Sequence, residues 1–111
     1  MRLRRRANAV TVALDQGTPE NSCRPAVDAL FRSVSEVYGG ASIAVVLTGM
    51  GQDGLHGVRA LRGQGAYVIV QDEASSVVWG MPGFVAKEGL ADSVVDLHCI
   101  IPEVLRQVGK W

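Results

Sequence analysis

Ser42 to Thr48 reads Ser-Ile-Ala-Val-Val-Leu-Thr and runs directly into Gly49-Met50-Gly51-Gln52-Asp53-Gly54. The first part is apolar and β-branched without alternation, the pattern of a strand buried on both faces of a sheet. After the glycines, Leu55, Val58 and Leu61 fall on one face of a short helix, which Gly63 and Gly65 close. Tyr67 to Gln71 is a second buried strand, Pro82 opens a helix ending near Gly89, Val94 to Leu97 is a third strand, and Pro102 to Val108 is a last helix with Val104, Leu105 and Val108 inward. Strand, helix, strand, helix, strand predicts βαβ units on a parallel sheet, an α/β three-layer, Rossmann-like architecture.

Upstream, Val10, Val12 and Leu14 alternate with Thr11 and Ala13, which marks a half-buried strand. With Leu3 before it and Arg6-Ala7-Asn8 as the turn, residues 2–14 are expected to form an N-terminal β-hairpin. Gln16 to Arg24 has loop composition. From Pro25, Val27, Leu30, Phe31, Val34, Val37 and Tyr38 share one helical face until Gly39-Gly40 stops it.

The composition agrees. The chain has 111 residues, 48% of them hydrophobic, with thirteen glycines and only two each of Trp, Tyr and Phe, so small aliphatics carry the core of one domain. Eleven Lys and Arg balance eleven Asp and Glu, which argues against nucleic acid or an anionic membrane as partner. No stretch of about 18 apolar residues is present to insert into a membrane. The basic start, Met1-Arg-Leu-Arg-Arg-Arg-Ala, lacks the apolar run of a signal peptide and reads as a solvated strand edge. Two cysteines, Cys23 and Cys99, suggest a reduced, cytoplasmic protein without a disulfide framework. Two cysteines and two histidines have no zinc-site spacing, so no metal is expected.

In parallel sheets functional residues collect beyond the carboxyl ends of the strands, which singles out Gly49 to Gly54 and Asp72 to Met81. Gly49, Gly51 and Gly54 form a G-x-G-x-x-G between strand and helix, and Asp72 and Glu73 follow about 20 residues on, as in a dinucleotide fingerprint. Asp53 opposes that reading, because it sets a carboxylate where a phosphate would need neutral donors. Gly57 weakens the helix by about 1 kcal/mol relative to Ala, and the chain leaves little room for a cofactor and a substrate. A nucleotide-binding module and a purely structural glycine turn both stay open on these residues.

Three strings carry a resemblance: ENSCRPAVDALFRSV (Glu20 to Val34), VVLTGMGQDG (Val45 to Gly54) and QDEASSVVWGMP (Gln71 to Pro82). In this order and spacing they resemble the bacterial chemotaxis protein-glutamate methylesterases, with the likeness reaching about Ile101. The resemblance implies a serine esterase on a parallel α/β sheet that hydrolyses glutamate γ-methyl esters on methyl-accepting chemotaxis receptors, with glutamine deamidation as a related activity and no cofactor. It assigns Asp53 as the acid of a Ser-His-Asp triad, where it would fix the imidazole tautomer and stabilise the imidazolium. It further implies that the Met50 backbone N–H serves the oxyanion site, and that Met81 and Arg24 border the substrate cleft. Asp53→Asn is then expected to cut turnover by orders of magnitude with little loss of fold.

The likeness is to the carboxyl-terminal part of the catalytic domain. The family's serine lies in an earlier G-x-S-x-G-G-type turn, and no serine of this sequence has that context. The expectation is a partial methylesterase domain over residues 1–111, with Met1 an internal or misassigned start, no receiver domain, and no activity alone. A sheet without its first strands would expose an apolar edge that favours self-association. His56 and His98 read as surface residues rather than substitute bases, Cys23 as a small loop hydrophobe, and Trp79 as a packing residue beside the cleft.

Overall fold

A computed structural model describes residues 1–14 and 26–111. Two strands, β1 (Arg2–Arg6) and β2 (Ala9–Ala13), pair antiparallel around Ala7 and Asn8. The rest alternates: α1 (Val27–Tyr38), β3 (Ile43–Val46), α2 (Leu55–Gly63), β4 (Tyr67–Gln71), α3 (Met81–Lys87), β5 (Ser93–Val95) and α4 (Ile100–Val108), with a 3-10 turn at Leu97–Cys99 before α4. The sheet order is β3-β4-β5, all parallel, with Ile43 beside Tyr67 and Ile69 beside Ser93. This is the expected α/β fold with its hairpin.

One side of the sheet carries a dry core. Ala44 and Val46 of β3 and Val68 and Val70 of β4 pack with Leu55, Val58 and Leu61 of α2 and Val85 of α3. Alternation along β4 sends Tyr67 and Ile69 to the opposite side, where the Tyr67 hydroxyl donates to Glu103 Oε1 of α4 at 3.0 Å. α1 lies against α2, and the hairpin lies on α1, tied by the Leu3 N–H to Ser33 Oγ at 2.7 Å and the Arg5 guanidinium to the Val37 carbonyl at 3.0 Å. Gly57 makes the α1–α2 approach possible: a Cβ there would lie 2.5 Å from Phe31 Cβ. The glycine that weakens α2 as a helix is what lets it pack.

Several expectations are corrected. β3 is sealed on one side only; Ile43 and Val45 are half-buried and Leu47 is 43% exposed, because α4 covers β4 rather than β3, an edge strand among the described residues. α4 starts two residues earlier than expected, and its inward positions are Ile100 and Gln107, two turns apart on one face, whereas Leu105 and Val108 face solvent. Val12 and Leu14 are also exposed: among the described residues, the hairpin packs chiefly on α1, through β1. Leu97 sits in the 3-10 turn, where the Asp96 carboxylate accepts the His98 N–H at 2.8 Å and stops β5. Pro25, Cys23 and Arg24 lie outside the described residues.

Candidate functional site

The turn after β3 is shaped by two glycines with positive φ, Gly51 at +86° and Gly54 at +101°, conformations costly for any residue with a Cβ. Their effect is to reverse the chain within a few residues and drive Asp53 inward, where it is 7% exposed, while Met50 stands out at 82% exposure. A buried carboxylate must be hydrogen-bonded. Asp53 Oδ2 accepts the Val27 N–H at 2.7 Å, and Oδ1 accepts the Asp28 N–H at 3.0 Å. These are the opening amides of α1, which Ala26 at the N-cap position cannot satisfy through a side chain.

The arrangement is reciprocal. Asp28, 1% exposed, accepts the Gly57 N–H of the first turn of α2 on Oδ1 at 2.8 Å. Each helix start is met by a carboxylate carried near the start of the other, with the partial positive charge of the helix terminus favouring both. This also counts against the nucleotide reading, because the Asp28 side chain already occupies a donor at the start of α2.

A second loop, Asp72 to Gly80, is laced to the first. The Thr48 hydroxyl donates to the Val78 carbonyl at 2.8 Å and accepts the Val78 N–H at 2.9 Å. The Gly49 N–H donates to the same carbonyl at 2.9 Å, and the Gly49 carbonyl accepts the N–H groups of Gly80 and Met81, both at 2.9 Å. Gly80 has no room for a side chain: a Cβ would lie 2.7 Å from the Gly49 oxygen and 3.0 Å from Met50 Cα. Among the described residues, the Met50 N–H has no hydrogen-bond partner.

The expected site residues therefore separate. Asp53 and Met50 belong to one turn, the carboxylate beneath and the main chain above it. Met81 is half-buried at the head of α3, packed against the core with its terminal methyl group beneath Gly49. Trp79 is held by its indole N–H on the Gln71 carbonyl at 2.7 Å, with Lys87 above its ring and Gly83 against its edge. His56 and His98 are exposed, as is Cys99, and no cluster of metal-binding side chains occurs among the described residues. No helix there is long and apolar enough to cross a membrane. Gln71, which the sequence presents only as the polar end of a strand, adds a side-chain link between the two loops.

The chain is similar to known proteins over most of its length. The family model described as CheB methylesterase matches residues 1–104. A protein-glutamate methylesterase/protein-glutamine glutaminase of Trichodesmium erythraeum is 56% identical over 105 residues, covering 95% of this chain and 30% of that protein. One from Maricaulis maris is 52% identical, covering 96% and 27%. The crystal structure of the Thermotoga maritima CheB methylesterase catalytic domain superposes with a TM-score of 0.89 at 39% identity, covering 96% of this chain and 56% of that one. The chain spans less than a third of the length of these two curated relatives.

Proposed function

The chain belongs to the CheB methylesterase family, and from that premise we propose that residues 1–111 supply the acid and an oxyanion donor of a protein-glutamate methylesterase. The reaction is hydrolysis of glutamate γ-methyl esters on chemotaxis receptors, with deamidation of glutamine as the second activity. A serine attacks the γ-carbonyl carbon, methanol or ammonia leaves, and water releases the glutamate carboxylate from the acyl-enzyme. A histidine moves the protons, and the acid orients it. The serine and histidine come from segments that supply the G-x-S-x-G-G turn, which these residues do not contain. The chain by itself is expected to show no turnover.

The burial and anchoring of Asp53 carry this reading. Its oxygens accept the Val27 and Asp28 N–H groups, so the carboxylate is buried and fixed in direction, as an acid that orients an imidazole must be. Met50, exposed in the same turn, has a main-chain N–H to offer to the oxyanion, a contact worth roughly 3 kcal/mol in the transition state. Met81 supports the turn from below, and Arg24, by the resemblance of its CRP string, borders the cleft.

The test is a full-length chimaera in which this chain replaces the aligned segment of the Trichodesmium erythraeum relative. It should release methanol from methylated receptor, and Asp53→Asn should lower kcat by about 10⁴-fold. Retention of turnover within tenfold would overturn the assignment of Asp53. The geometry adds a qualification to the sequence-based expectation of little loss of fold: an amide NH₂ would face one of the α1 amides, so the variant should also lose about 1 kcal/mol of stability. Activity is to be compared well below its melting temperature.

A further inference from the structure

Gln71 ends β4 and is 1% exposed, yet its side chain is polar at both ends. Its Oε1 accepts the Thr48 N–H at 2.8 Å; its Nε2 donates to the Ser75 carbonyl at 2.7 Å and lies 3.3 Å from Ser75 Oγ. Its main-chain carbonyl takes the Trp79 indole N–H. One residue thus grips the entry to the Gly49–Gly54 turn, the start of the second loop and the end of that loop. We propose that Gln71 is a positioning residue for the oxyanion donor, setting where the Met50 N–H stands. This inference rests on the methylesterase reading for its consequence, though not for its geometry.

Two independent contacts transmit the position. Thr48, whose N–H Gln71 holds, is bonded in both directions to Val78, so a shift at Thr48 displaces the two loops together. Gly80 then bears on Met50 with no intervening side chain, since the space a Cβ would take is closed by the Gly49 oxygen, Gly51 nitrogen and Met50 Cα. A displacement at Gln71 therefore has a backbone route to Met50 and no soft side chain in which to dissipate. Ser75 closes the far end: its N–H and hydroxyl both donate to Asp72 Oδ1, at 3.0 and 2.7 Å, and its hydroxyl oxygen accepts the Leu97 N–H at 3.0 Å. An apolar residue of equal size could fill the same space, but it would leave the Thr48 donor unpaired and the loop without a fixed register.

The experiment has two parts. In the 111-residue chain, amide exchange by NMR should show the Thr48, Gly49 and Gly80 amides of Gln71→Met exchanging about tenfold faster or more, while the Val68 amide, bonded to Asp92 Oδ2 at the other end of β4, keeps its rate. Unchanged exchange at Thr48 and Gly49 would overturn the inference whatever the activity result. In the chimaera, Gln71→Met should lower kcat by about tenfold to a hundredfold with KM within about twofold. A control, Leu61→Ala, destabilises the core and should leave kcat unchanged below its melting temperature; a Gln71→Met loss that merely tracks the folded fraction would sink the proposal. If Gln71→Met does not fold, Gln71→Glu decides. Its neutral acid accepts from Thr48 and donates to Ser75, and burial with the Asp72 carboxylate across Ser75 favours that neutral form. Its kcat relative to the parent at the same pH should therefore recover as pH is lowered from about 8 to about 5.5, and a flat ratio would count against the positioning role. A chimaera without any esterase activity breaks the functional reading instead, and the exchange measurement still decides the role of Gln71.

Discussion

On the side of the sheet that meets α2 and α3, Ala44, Val46, Val68 and Val70 are all 4% exposed or less. On the side that meets α4, Ile69 is sealed, but Ile43 and Val45 are half-exposed and α4 turns Ile101, Leu105 and Val108 outward. The residue types on the two sides are nearly the same. What differs, among the described residues, is the number of elements that cover them, two helices on one side and one on the other. The side with two helices is also the side on which α1 and α2 exchange their buried carboxylates, so rigidity and candidate chemistry coincide there.

The sharpest way to break this contrast is a pair of equal truncations. Leu61→Ala in α2 should cost about 2–5 kcal/mol in urea unfolding, since Leu61 is 1% exposed, and it should be the largest effect of the set. Leu105→Ala in α4 should change stability by less than about 0.5 kcal/mol. Equal losses would mean that the α4 side is covered in solution, by self-association or by another segment, and a concentration-dependent midpoint would identify the former. Gly57→Ala sharpens the contrast from another direction. Helix propensity alone would stabilise α2 by about 1 kcal/mol, whereas the approach of Phe31 predicts a net loss of about 1–3 kcal/mol. The sign of the measured change decides between helix and packing.

The smallest expected effect belongs to Glu103 on α4. Hydrogen bonds from Arg106 first, then Gln107, with Tyr67 and Ser93 adding, hold its carboxyl down to about 2 from the usual 4.5. Because the folded value lies below the unfolded one, its contribution is complete above pH 4.5 and is lost as pH falls toward 2. Glu103→Gln should flatten the acid limb of the stability profile in that window, with no change at neutral pH attributable to proton uptake. The Arg106 side chain is exposed, so its share of the effect should also shrink with added salt.

Much of the fold was legible because the relevant signals are local. Tyr67 to Gln71 reads as a strand and is one, to the residue, and Leu55, Val58 and Leu61 face inward as their spacing requires. The errors share a cause. Leu105, Val108, Val12 and Leu14 are apolar at regular spacing, which establishes that a face exists but not that anything packs on it. Of the candidate site, Asp53 and Met50 were reached through motif resemblance, while the grip of Asp53 on α1 was not, because it joins residues 25 and 26 positions apart. Gln71 escaped for a similar reason: a polar residue at a strand end looks like an ordinary boundary until both ends of its side chain are seen to be used. A buried, fully paired amide leaves no periodic trace.

The sequence by itself determined the order and type of the elements, the parallel α/β class and the two loops where chemistry would gather, since periodicity, glycine conformation and motif order all act over short stretches of chain. Tertiary structure alone decided which apolar faces are covered, that Asp53 and Asp28 serve each other's helices, and that Gln71 locks the two loops together. Those outcomes depend on contacts between distant segments, whose direction and distance no local pattern specifies.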